Sequence, residues 1–252
     1  MIANFVIHVK LLLQSIWKYG VQLDQRIPDE IFKKWLLWKE ELPKLNQCRV
    51  PRCHNIYLSA ATKIVLHTFV DASEEAFSAV TYLRIEVGDQ VSVSFIAGKT
   101  RCAPKKLISI PRLELSAAVL GIRLCNTIIE HHDLTFADKI FWSDSKTVLN
   151  WLKSEPRHQK QFVGFRIAEI LESSHVNQWR WIPSKLNPAD EATRSRYPPK
   201  YNPESKWLNG PSILALPEDS WPSRPEDIES YVCQEEMKLK FILFAQTHVK
   251  RS

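Results

Sequence analysis

The sequence predicts an α/β fold: a mixed five-stranded sheet with helices on both faces, a helical flank before it and an irregular tail after it. Three observations lead there. Apolar, β-branched segments follow one another closely over Lys63–Asp71, Ala76–Glu86 and Gln90–Gly98. A long helical pattern starts at Pro111. Strand and helix patterns then alternate as far as Asp190, which favours parallel pairing added to an early antiparallel meander.

The elements follow in order. Val9, Leu12, Leu13, Ile16 and Trp17 recur at helical spacing within Phe5–Tyr19, and Gly20 supplies a stop. Asp29 and Glu30 suit the positive end of a second helix. Its Ile31, Trp35, Trp38 and Leu42 form a stripe that suits a core or an interface, and Pro43 is expected to end it. Gly88-Asp89 is a hairpin signal between the second and third strands. The stretch Lys99–Lys106 reads as a basic loop.

Pro111 suits the first turn of a helix running to about Ile129. Leu113, Ala117, Leu120, Leu124 and Ile128 form its stripe. Glu114 stands one step round, above Ala118, Gly121 and Cys125, small residues that let the helix approach a sheet closely. A fourth strand spans Lys139–Asp144, and Ser145 opens a helix to Lys153. A further helix covers Gln159–Ser173, a last strand Gln178–Pro183, and Asn187-Pro-Ala-Asp190 opens a helical turn. Pro217–Pro225 reads as irregular and Glu229–Phe244 as a final helix.

Composition narrows the class. The 252 residues hold 34 Lys and Arg against 28 Asp and Glu, a net charge of +6 that favours a polyanionic partner. The five cysteines are scattered and odd in number, unlike a disulfide framework. Cys48, Cys53 and His54 resemble half a zinc site, but no second pair follows at ligand spacing. The apolar start Ile2–Ile16 is interrupted by His8, Lys10 and Gln14 and is too short to span a membrane. An intracellular protein, cytoplasmic and with no membrane partner, is expected. No Gly-rich phosphate loop ending in Gly-Lys is present, which argues against nucleotide hydrolysis by that route.

Four acids stand where elements end or begin: Asp71, Glu114, Asp144 and Asp190. Singly, each has an ordinary reading as a turn or helix cap. Together at one place they would repel one another and drive each other's pKa upward, unless divalent cations neutralise them. Mg²⁺ prefers oxygen ligands, and two such ions can stabilise both oxygens of a phosphodiester displacement without a side-chain nucleophile.

Phe69-Val-Asp-Ala-Ser73, Ile110-Pro-Arg-Leu-Glu-Leu115, Trp142-Ser-Asp-Ser145 and Asn187-Pro-Ala-Asp190 occur in this order. They resemble the ribonuclease H-like domain in the polyprotein of Bel-Pao long-terminal-repeat retrotransposons. The resemblance covers residues 56–196 best. Residues 1–55 are similar to the connection after the reverse transcriptase palm, and residues 197–252 to a linker toward the integrase.

The resemblance implies cleavage of the RNA strand of an RNA–DNA hybrid with two Mg²⁺ ions, Mn²⁺ being an alternative. Asp71, Glu114, Asp144 and Asp190 would be the catalytic metal ligands, and in-line attack by water would leave a 3′-hydroxyl and a 5′-phosphate. Many relatives carry a His before the last carboxylate. Pro183-Ser-Lys-Leu186 has none, and Lys185 is the nearest polar substitute. Ser73 and Ser145 suit either turn capping or contact with phosphate or a 2′-hydroxyl. Lys99, Arg101, Lys105 and Lys106 suit the nucleic acid backbone. Trp179 and Trp181 fit a core better than a stacking platform.

Paired polymerase aspartates, an aspartic-protease Asp-Thr-Gly or Asp-Ser-Gly and an integrase zinc module are absent from the sequence. Two alternatives remain: a catalytically idle nucleic-acid-binding or interaction module derived from such an enzyme, and a polynucleotidyl transferase, against which the four-carboxylate pattern argues.

Overall fold

Strands β1 (Lys63–Ala72), β2 (Ala76–Val87), β3 (Gln90–Cys102), β4 (Asp138–Ser143) and β5 (Trp179–Trp181) form one sheet in the order β3-β2-β1-β4-β5. The first three pair antiparallel, and β4 joins β1 in parallel, as β5 joins β4. This is the mixed five-stranded sheet expected. The computed structural model describes residues 1–49, 53–54, 58–194, 197, 199–225 and 236–237. The helix expected over 229–244 lies outside these, Glu236 and Met237 excepted.

Helices α1 (Ala3–Tyr19) and α2 (Asp29–Glu41) precede the sheet. Gly20 ends α1 in the left-handed region at φ 71°, where glycine carries no Cβ penalty. Pro43 follows the end of α2 as expected but does not stop the helical course. It sits in the first turn of a 3-10 segment, Leu42–Gln47, where its missing N–H costs nothing. Trp38 leans on α1, its ring 5.3 Å from that of Phe5 and its indole N–H donating to the Phe5 carbonyl.

One face of the sheet is covered by α3 (Ile110–His131) and α5 (Gln161–Ser173). Leu66 and Val70 of β1, Leu83 of β2 and Phe141 of β4 bury there against Leu113, Ala117 and Ile167. The small-residue flank works as its sequence suggests. A Cβ on Gly121 would lie 2.6 Å from Val70 Cγ1 and 3.3 Å from Thr68 Cγ2. The helix therefore touches β1 almost backbone to side chain.

The other face has no long helix. Alternate residues Val65, Phe69, Val80, Tyr82 and Trp142 bury there under Trp207, Leu214 and Trp221 from the chain beyond the last strand. Trp207 opens α7 (Lys206–Asn209) and is fully buried. Tyr82 donates its hydroxyl to the Lys206 and Trp207 carbonyls, and Arg84 donates to the Leu214 carbonyl at 2.8 Å.

Strand β3 runs further than its sequence implies. Lys99–Cys102 is strand, not loop, because Ala76–Ala79 of β2 pairs with it residue by residue. That pairing is long-range and is not encoded in the local Lys-Thr-Arg-Cys pattern.

His67 is buried on the aromatic face. It accepts a hydrogen bond at Nδ1 from the Trp142 indole N–H at 3.1 Å, so its proton sits on Nε2. Burial, reinforced by Arg84, Arg180 and Lys63, pushes its pKa down to about 3, and burial pushes His8 to about 4. Both fall below their ordinary values, so the unfolded chain binds protons first as pH drops. The associated stability is fully present above about pH 6.5 and drains away toward about pH 3. Thermal unfolding of the parent and of His67→Leu between about pH 7.5 and pH 5 should expose this loss as a difference between the two proteins. His67→Leu should shrink the slope by up to about 1.4 kcal/mol per pH unit. Equal slopes in the two proteins would contradict a neutral buried His67.

Gly121→Val should force α3 off β1 and destabilise the fold by roughly 1–3 kcal/mol, read as a lower midpoint in chemical unfolding. An unchanged midpoint would mean the close approach carries no strain-sensitive packing.

Candidate active site

The site grows from the parallel pair. Phe69 of β1 lies opposite Trp142 of β4, and two residues further on stand Asp71 and Asp144. Side chains alternate along a strand, so each acid points to the same side as its aromatic neighbour, whose rings stack 5.8 Å apart. Two acids are thus delivered side by side at one end of the sheet. Helix α3 adds Glu114 from just beyond its first turn, on the helix that the Gly121 contact holds against β1. The short helix α6 (Asp190–Thr193) adds Asp190. Asn187 fixes that turn: its side-chain amide donates to the Val70 carbonyl at 3.0 Å, next to Asp71.

These four carboxylates feel one another. Burial first, and then Asp144, pushes Asp71 up to about 7, opposed by a hydrogen bond from Thr193 and the charge of Arg194. Burial likewise pushes Glu114 up to about 7; the Ser145 hydroxyl opposes the rise and Asp144 adds to it. Asp190 is raised by burial and by Asp144, against the pull of Arg194.

The oxygens are partly satisfied from within the chain. Thr193 donates its hydroxyl to Asp71 Oδ2, and Ser184 donates to Asp144 Oδ2. Ser145 donates to Glu114 Oε2 at 2.5 Å while accepting from the Val148 N–H as the cap of α4 (Lys146–Trp151). Arg194 reaches Asp190 Oδ1 at 3.1 Å and Asp71 Oδ1 at 3.7 Å. Asp71 Oδ1 and Asp190 Oδ1 are nevertheless buried without an aligned hydrogen-bond donor.

The donor set is all oxygen and strongly anionic, which fits a hard divalent cation, and two buried oxygens remain unsatisfied. With the side chains turned to Thr193, Ser184, Ser145 and Arg194, no three His, Cys, Asp or Glu residues among those described converge on one ion position.

The other sequence candidates are dispersed. Ser73 accepts from the Glu75 and Ala76 N–H groups at 3.3 Å each, the turn-capping geometry. Lys99 and Arg101 are exposed on β3, on either side of Thr100, whose partner Ser78 in turn faces Asp71. Lys105 and Lys106 are exposed in the segment before α3, and Lys105 donates to the Trp17 carbonyl at 3.4 Å. Lys185 is exposed, and its carbonyl accepts from Lys206. Trp179 is buried and stacks on Phe141 at 4.8 Å. Sequence reasoning missed Thr193, Arg194 and Ser184. A signal for the first two was present, since residues three and four beyond Asp190 share its side of a helical turn.

The sheet order, the parallel β1–β4 pair and the acids at its end define a ribonuclease H-like fold, the architecture of a nuclease. The chain belongs to the Pao retrotransposon-like RNaseH-like domain family, whose model matches residues 1–145. None of the curated proteins compared matches it. It is similar to the structure of RNase H1 from the halophilic archaeon Halobacterium salinarum NRC-1, at 13% identity and a TM-score of 0.33 over 50% of this chain and 90% of that one. LC11-RNase H1 in complex with an RNA/DNA hybrid is 14% identical, with a TM-score of 0.37 over 52% of this chain and 93% of the other. The N-terminal RNase H domain of Rv2228c from Mycobacterium tuberculosis is 14% identical, with a TM-score of 0.34 over 52% and 90%. Among the described residues, no helix is long and apolar enough to cross a membrane.

The raised carboxylates have a consequence for stability. Between about pH 4 and pH 7 these carboxyls hold protons in the folded state that the unfolded chain has released, so their contribution to metal-free stability falls as pH rises through that window. Asp71→Asn removes one of the repelling charges. In chelator at about pH 8 it should be more stable than the parent by roughly 1–3 kcal/mol, and the gain should vanish near pH 4. A variant less stable than the parent at both pH values would show that Asp71 is stabilising in its charged form.

Proposed function

We propose that the chain is a divalent-metal-dependent ribonuclease H that cuts the RNA strand of RNA–DNA hybrids. The observation that carries this reading is the meeting of Asp71, Glu114, Asp144 and Asp190 at one end of the parallel strand pair, two of them with pKa values near 7. Such a group of acids is unstable without a cation. Asp71, Glu114, Asp144 and Asp190 would hold Mg²⁺ or Mn²⁺, which supplies charge neutralisation at the scissile phosphate and activation of water. Arg194 would compensate the acids between substrates and swing toward phosphate when a cation replaces it. Lys99 and Arg101, two strands from Asp71, would hold the nucleic acid backbone, with Lys105, Lys106 and Lys185 at the margins. Ser145 holds Glu114 in place, and Ser73 shapes the turn after Asp71.

We infer the same organisation for the chain as a whole: residues 1–55 as a flank continuing from a reverse transcriptase, 56–196 as the nuclease and 197–252 leading toward an integrase, all parts of one polyprotein.

A second reading has its own observation. The acids already have hydroxyl and guanidinium partners, and no three converge on an ion position among the described residues. That arrangement suits an idle module that binds hybrid without cutting it.

One experiment separates the two. A labelled RNA–DNA hybrid is incubated with Mg²⁺, Mn²⁺ or chelator, with the parent and with Asp144→Asn. Metal-dependent cleavage should appear for the parent and fall by about 10²-fold or more in the variant, while hybrid affinity at one fixed salt concentration survives. Equal activity in both proteins would remove Asp144 from the site. Binding without cleavage by the parent would favour the idle module.

A further inference from the structure

A second basic surface lies outside the carboxylate site, in the groove between α3 and α5. It encloses about 290 Å³, bordered by Arg101, Ser116, Arg123, Phe162, Phe165 and Arg166. This approaches the size of small-ligand pockets, which begin at roughly 300 Å³. Two guanidinium groups approach the Phe162 ring: Arg166 lies 3.5 Å and Arg112 4.9 Å from its centroid. Phe165, one helical turn on, is 67% exposed.

Charge in the groove is unbalanced. Arg123 pairs with Glu169 through bonds of 2.6 and 3.1 Å, and Arg112 with Glu236 through bonds of 2.6 and 2.9 Å. Arg101 and Arg166 make no ion pair among the described residues. Burial disfavours the charge on Arg166, Glu169 opposes this, and the charges of Arg123 and Arg112 add to it. Ordinary helix–helix packing accounts for the Arg123–Glu169 pair. It does not account for an exposed Phe beside Arg101 and Arg166, which make no ion pair among the described residues, Arg166 donating only to the Phe162 carbonyl at 3.0 Å.

The groove also has a direction. Arg112 stands two residues before Glu114, and Arg101 pairs with Phe77 at the carboxylate end of the sheet. Arg123 lies eleven residues beyond Arg112 on α3, roughly 16 Å along its axis. The cationic and aromatic side chains therefore form a track that leaves the carboxylate site and runs along the helices. Alternating guanidinium and aromatic groups suit a strand whose phosphates and unpaired bases are both available, because duplex bases offer no free face.

We propose that the α3–α5 groove binds a single-stranded polynucleotide extending from the hybrid, its phosphates on Arg101, Arg123 and Arg166 and a base stacked on Phe165. This rests on the nucleic-acid reading above but not on catalysis. It makes the chain a reader of hybrid ends and junctions, where one strand continues unpaired.

The test uses the full chain in chelator, so that nothing is cut, and fluorescence anisotropy. The probes are a blunt RNA–DNA hybrid, the same hybrid with an oligo-uridine or oligo-thymidine overhang at either end, and each oligonucleotide alone. An overhang should tighten binding about tenfold, the lower part of the range for stacking one base. Phe165→Ser/Arg166→Glu should abolish that gain and leave blunt-hybrid affinity unchanged. Phe165→Tyr should keep the gain. Phe165 is solvent-exposed, and an unchanged thermal midpoint would verify that the double variant folds. Equal affinity for blunt and overhanging hybrids would overturn the proposal, as would a gain that survives in the double variant. If the blunt hybrid does not bind but the single strands do, in a Phe165-dependent way, the groove stands and the hybrid-nuclease reading falls. Uridine against thymidine decides whether RNA or DNA is the preferred strand.

Discussion

The structure depends on burying negative charge where two parallel strands end. Asp71 and Asp144 emerge side by side because β1 and β4 share one register, and no side-chain adjustment separates them while that pairing holds. Burial and repulsion from Asp144 both favour the protonated form of Asp71. The surroundings answer with donors: Thr193 and Arg194 at Asp71, Ser184 at Asp144, Ser145 at Glu114. The donors come from two connections at the same end of the sheet, Ser145 after β4 and Ser184, Thr193 and Arg194 after β5, so both are committed to holding this one group of acids. Core packing alone would have placed apolar residues there at no such cost.

Geometry at the acids is transmitted from the two faces of β1. On one face, Gly121 lets α3 settle against Val70 and Thr68, which fixes the height of Glu114 relative to Asp71. On the other, Phe69 stacks on Trp142 and His67 accepts a hydrogen bond from the Trp142 indole N–H, which ties β1 to β4 just before their carboxylates. Trp221 packs edge-on to His67, and Arg84 reaches over to the Leu214 carbonyl. Residues 206–221 thereby brace the strand pair from behind, although their proline-rich sequence carries no strand or long-helix signal.

How much of this was legible follows from the range of the interactions. Strands Lys63–Ala72 and Ala76–Val87, the α3 stripe with its small flank, and the Ser145 cap were readable because periodicity, turn residues and capping act within a few positions. The acids were readable because each stands at an element boundary. The end of β3 was not, since Lys99–Cys102 becomes strand only through its partner Ala76–Ala79. Nor was the role of Trp207, which fills the space over Gly98: a Cβ there would lie 2.4 Å from its ring. Ser184 was hidden for the same reason, because its hydroxyl meets an acid forty residues earlier. Local patterns reveal which residues can do chemistry; tertiary contacts decide which neighbours hold them.

The N-terminal helices show how far that logic extends. Strand β3 is an edge, and an uncovered edge presents unpaired backbone groups to any passing strand. Helix α1 lies along it: Gln14 donates to the Ala103 carbonyl at 2.7 Å, Lys10 to the Thr100 carbonyl at 3.4 Å, and the Thr100 hydroxyl to the Ala3 carbonyl at 3.2 Å. The Trp207 indole N–H donates to the Met1 carbonyl at 2.7 Å, which joins the first residue to the segment that covers the aromatic face. A flank that resembles a connection between domains thus contributes directly to the sheet, protecting its edge and closing one side of its second core. The family match beginning at residue 1 accords with this, because the packing unit includes α1 as well as the strands that carry the acids.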